Sequence, residues 1–101
     1  MTEEQLSTDI ARGESAKEVL ENEAFALAFD TLINDLTTKW QTSPPKDEDG
    51  REKLYLMLLM ARAMKANLDS LILNGTMAQE RRKSLLERAR NSLPGWMSGN
   101  D

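Results

Sequence analysis

An all-α fold is what this sequence predicts: a long antiparallel helical hairpin with a shorter third helix. Three observations predict it. Two long segments carry apolar residues three and four positions apart, the spacing of one helix face. Between them stands Ser43-Pro44-Pro45, which no helix can cross, because proline lacks an N–H and forces its predecessor out of the α region. Capping-box patterns occur at Thr2–Gln5, Ser15–Glu18 and Thr76–Gln79, each ahead of an apolar run. A short link between two helices makes them lie antiparallel.

The elements follow in order within a single small helical domain over residues 1–101. Residues 1–12 form a short helix from Thr2 that frays, since only Leu6 and Ile10 supply an apolar face. Gly13 separates it from helix one, expected over 15–41 with Ser15 as N-cap. The face of helix one is Phe25, Phe29, Leu32, Leu36 and Trp40, and Glu21, Glu23, Asp30 and Asp35 lie opposite. Asp47, Glu48 and Asp49 suit the positive end of the next helix. Helix two is expected over 51–73, with Leu54, Leu58, Ala61, Met64 or Lys65, Leu68, and Leu71 or Ile72 turned inward. A second row, Tyr55, Met57, Leu59, Met60 and Leu73, leaves it apolar on most sides, so helix three or a second subunit must cover it. Asn74-Gly75 has the form of a C-cap. Helix three is expected over 77–92, stopped by Pro94-Gly95, and 94–101 form a tail that Trp96 pins back.

Composition narrows the function. The chain is 101 residues, 40% hydrophobic and 30% charged, and no run approaches the roughly 18 apolar residues of a membrane span. The acidic start Met1-Thr2-Glu3-Glu4 lacks the basic opening of a signal peptide, so a cytoplasmic location is expected, with no membrane partner. With neither cysteine nor histidine, disulfides and the commonest general base and metal ligand are excluded. Asp47-Glu48-Asp49-Gly50 lacks the spacing of a calcium loop, and no glycine-rich phosphate loop occurs. The expectation is no enzyme, no catalytic residues, no cofactor and no metal. Met57, Met60 and Met64 serve either as core filler or as an adaptable interface.

Charge is uneven. Residues 1–52 hold 13 acids and 5 bases, and residues 53–101 hold 4 acids and 8 bases, a polarity that favours association between copies. Arg81, Arg82, Lys83, Arg88 and Arg90 are the candidate contacts for nucleic acid or an acidic partner. Glu80 and Glu87 dilute them, so any nucleic-acid contact is weak. Core and self-association are assigned to Phe25, Phe29, Leu32, Leu36, Trp40, Leu54, Leu58 and Leu68, implying a homo-oligomer.

Residues 13–82 resemble small helical proteins encoded in tailed-phage and prophage genomes, among head and DNA-packaging genes. Gly13, Ala16, Leu20, Asn22, Phe25, Ala28 and Phe29 carry the resemblance on helix one. Trp40, Thr42, Pro45 and Asp47 carry it at the turn, and Arg51, Glu52, Leu54, Leu68, Leu71 and Gly75 beyond. The resemblance implies a non-enzymatic protein of virion assembly or packaging, in the host cytoplasm or virion-associated, with phage or host protein partners. Two alternatives stand beside it: a phage-encoded adaptor or inhibitor that binds a host or defence protein, its acidic helix mimicking a nucleic-acid backbone, and a DNA-contact protein using the basic third helix.

Overall fold

At the N-terminus the Thr2 hydroxyl accepts the Gln5 N–H at 3.1 Å, and the Gln5 side chain accepts the Thr2 N–H at 2.8 Å. Two donors that a helix start leaves unpaired are thereby satisfied reciprocally. In the computed structural model, which describes residues 1–96, this box opens helix α1, Glu3–Glu21. Asn22 ends α1 and starts α2, Glu23–Thr42, its side-chain oxygen accepting the Phe25 N–H at 2.9 Å. Asp47 likewise caps Gly50 N–H at 3.1 Å and opens α3, Glu48–Asn91, a 44-residue helix about 66 Å long at 1.5 Å per residue.

The protein is all-α, and the chain folds as a hairpin of unequal construction. One arm is α3; the other is α1 followed by α2, both packed along it antiparallel. Glu3 and Ser7 lie by Arg82, Gly13 by Gly75, Trp40 by Tyr55, and Ser43 by Arg51. The result is a rod, 77 × 26 × 17 Å, with a radius of gyration of 22.2 Å. A compact chain of this length would have about 13 Å.

Three expectations about boundaries are corrected. The short helix at 1–12 and the start of helix one at Ser15 merge into α1, which runs through Gly13, and Ser15–Glu18 lies inside it rather than capping it. Helix one over 15–41 is instead divided at Asn22. The separate helices two, 51–73, and three, 77–92, are one continuous α3, so no shorter third helix follows the hairpin and the third helix is the longest. Thr76 caps nothing: its hydroxyl donates to the Ile72 carbonyl at 3.1 Å, the back-bond of a threonine inside a helix.

The physical reason lies at the glycines. A Cβ on Gly13 would sit 2.9 Å from the Gly75 Cα and 2.9 Å from the Leu71 carbonyl oxygen. A Cβ on Gly75 would sit 3.0 Å from the Asp9 carbonyl oxygen. Both glycines are buried where α1 and α3 touch backbone to backbone, with Ala16 and Ala78 buried beside them. Small side chains let two helices approach this closely, and the packing gained offsets the roughly 1 kcal/mol that each glycine costs a helix. Trp96 is 84% exposed and does not pin the end of the chain. The remainder of the expected tail, 97–101, lies outside the described residues.

Candidate interaction surface

The hairpin's interior is thin. Its buried apolar residues are Leu6, Ala16, Leu36, Leu58, Ala61 and Ala78, and among the described residues no polar or charged side chain is buried. Of the residues assigned to core and self-association, Leu36 and Leu58 are enclosed between α2 and α3. Phe25, Phe29, Trp40, Leu54 and Leu68 are half-buried, and Leu32 is exposed. Phe25 and Phe29 stack on α2 with centroids 5.9 Å apart. Leu36 and Leu58 therefore hold the arms together and have no face to offer a second molecule.

The turn is closed by Arg51, a residue for which sequence reasoning offered no role there. Arg51 Nη1 donates to the Ser43 carbonyl and to Ser43 Oγ, both at 3.2 Å. The same guanidinium lies over the Trp40 ring, 5.8 Å from its centroid, and Trp40 meets Tyr55 at 6.2 Å. A cation in the first turns of a helix opposes the dipole, so a basic residue four positions after the Asp47 cap was a legible sign that it has another partner.

The basic cluster does not form one surface. Arg82 Nη2 donates to Ser7 Oγ and pairs with Glu3 Oε1, each at 2.6 Å, tying the start of α1 to α3, while its buried Nε has no hydrogen-bond partner. Arg82 is thereby tied to α1, with 32% of its side chain still exposed. Arg81 and Arg88, seven residues apart, share an exposed face. Arg82, Lys83 and Arg90 line a different feature, an open groove of about 450 Å³ between α1 and α3 that they share with Glu14, Gln79, Glu87 and the apolar Ile10 and Leu86. Its charges are mixed, which does not suit a polyanion.

On the far side of α3 the arrangement is simpler. Leu56, Met57, Met60 and Met64 are all 45% exposed or more, and Ala63 between them is exposed too. The second apolar row of the sequence, Tyr55, Met57, Leu59, Met60 and Leu73, is uncovered as well, each side chain 41% exposed or more, whereas Met64, one of the positions expected inward, faces out. Helix three, one of the two covers expected for that row, is the continuation of the same helix and does not fold back.

Among the described residues no three His, Cys, Asp or Glu side chains stand where they could hold a metal ion, and no helix is long and apolar enough to cross a membrane. The chain matches no family model, no curated protein and no solved structure.

Proposed function

We infer that this protein is a non-enzymatic assembly factor of the phage type, working in virion assembly or DNA packaging by self-association and protein binding. One observation carries the reading: a methionine-rich apolar strip on α3 that the chain's own helices leave open. A patch of that kind on a charged rod is the signature of a docking face, and methionine suits it because its flexible thioether adapts to a partner's shape. The resemblance of residues 13–82 to head and packaging proteins supports the phage context. The chain acts in the host cytoplasm, and it is carried into the virion if its oligomer is built into the particle.

The test is solution mass by light scattering after size exclusion. A discrete oligomer is expected; a monomer throughout the micromolar range would sink the reading. A second reading, an adaptor or inhibitor of a host protein, is favoured by the acidic first arm. Residues 3–42 hold nine acids and three bases, whereas 48–91 hold six acids and nine bases. Under that reading the chain is monomeric and captures one host protein, and charge reversal at Glu18, Glu21 and Asp30 abolishes the capture. Contact with DNA through Arg81 and Arg88 ranks below both, because Arg82 is paired with Glu3 and shares a groove of mixed charge with Lys83, Arg90, Glu14 and Glu87.

A further inference from the structure

The rod exposes more surface than a self-contained chain of its mass. Its accessible area is 7943 Å². A folded monomer of 11.4 kDa exposes about 5,800 Å². The excess, roughly 2,000 Å², is more than the roughly 800 Å² that each partner gives up in a standard interface. The excess comes from the elongated 77 × 26 × 17 Å form, which leaves the apolar strip of α3 open to a second subunit.

The pattern on α3 says what kind of subunit. Met60, at 71% exposed, is the most exposed large apolar side chain of α3. Leu56 and Met57 stand four and three residues before it, and Ala63 and Met64 three and four after. On a helix these five positions form one face, and it points away from the Leu58 and Ala61 side that α2 covers. Seven residues out, Lys53 and Asn67 close the patch with polar groups at both ends. The pattern reads alike in both directions. That is the property a two-fold interface needs, because each contact between residues i and j recurs as j with i.

We propose that a second copy of this chain docks on this face, α3 against α3 antiparallel, with the two-fold axis at Met60. The proposal rests on the self-association reading and specifies its surface. Met60 packs on the partner's Met60, Leu56 on the partner's Met64, and Met57 on the partner's Ala63, whose small side chain lets the helices close. Lys53 lies opposite the partner's Asn67, so no like charges meet. The α2 arms stay on the outside, and the dimer becomes a bundle with the two long helices at its centre. This relocates self-association from the residues inside the hairpin to its back.

The test uses the full-length chain, which has no cysteine of its own. Solution mass is measured for the native protein and for Met60→Lys, with helicity by circular dichroism as a check on folding. A dimer is expected for the first. For the second, a charge placed in the centre of the apolar face should weaken association by at least about 100-fold with helicity retained. Met60→Cys, treated with a short bis-maleimide, should give a single covalent dimer, whereas Met77→Cys, exposed on another side of the rod, should not. A native monomer would overturn both this proposal and the reading beneath it. An oligomer that survives Met60→Lys, or that fails to cross-link at Met60→Cys, would overturn the interface alone and leave self-association standing. The cross-link also decides the matter if the lysine variant fails to fold.

Discussion

The two halves of the rod are packed on opposite plans. Where α1 meets α3, the contact is made of Gly13, Ala16, Gly75 and Ala78, and the backbones touch. Leu6, fully enclosed, and Arg82, bound to Glu3 and Ser7, finish it at the open end of the hairpin. Where α2 meets α3, Leu36, Leu58 and Ala61 are enclosed, but the large side chains around them, Phe25, Phe29, Trp40, Leu54 and Tyr55, are half-buried or exposed. The difference teaches that a two-helix contact can be sealed by small residues, because a close approach leaves no gap for water. Large residues in the same two-layer arrangement keep one side wet, since a third layer is needed to cover them. The half with the large residues is also the half with the open apolar strip.

This contrast can be broken experimentally, and the variants below should be compared at one protein concentration because association shifts apparent stability. Leu6→Ala should cost the most, about 3 kcal/mol, as it empties a site that is completely enclosed. A loss under about 1 kcal/mol in urea unfolding would show that the α1 end frays and contributes little. Gly75→Ala comes next. Alanine gains about 1 kcal/mol of helix propensity, yet its methyl would press on the Asp9 carbonyl, and overpacking of this sort costs typically 1–3 kcal/mol. A net loss of about 1–2 kcal/mol is expected; a gain in thermal midpoint would mean that the crossing is looser than its geometry states. Phe29→Ala probes the other half. A buried ring would cost roughly 3–5 kcal/mol, but this one is half-buried, so about 1–2 kcal/mol is expected. If guanidinium titration gives the full value, a second molecule must be covering the ring. Asn22→Ala should have the smallest effect, about 1 kcal/mol, by removing the cap on α2. No change in midpoint would indicate that α1 and α2 simply fuse across the break.

Much of the helical architecture was legible. The Thr2 box and the Asp47 cap act as their patterns require, and the Pro44-Pro45 break sits at the turn of the hairpin. Asn22 was less visible, although the gap between Leu20 and Phe25 in the apolar rhythm marked a break, and asparagine is among the best N-caps. Gly13 and Gly75 misled for a physical reason. Locally, glycine weakens a helix, so each reads as a boundary. Its value here is the side chain it lacks, and that shows only when the two positions, 62 residues apart in sequence, are brought into contact. The basic cluster depends on distant residues in the same way. Five cations in one stretch look alike until Glu3 and Ser7, at the other end of the chain, select Arg82.

The sequence by itself determined that the chain is helical, where its hairpin turns and which caps start α1 and α3. Those outcomes depend on spacing, proline and capping side chains within a few residues of one another. The tertiary structure alone decided that four expected helices would become three, that one arm would be unbroken, and that the apolar back of α3 would stay open. Each of these turns on which distant surfaces meet, and the free energy of a close backbone contact outweighs the local cost of a glycine.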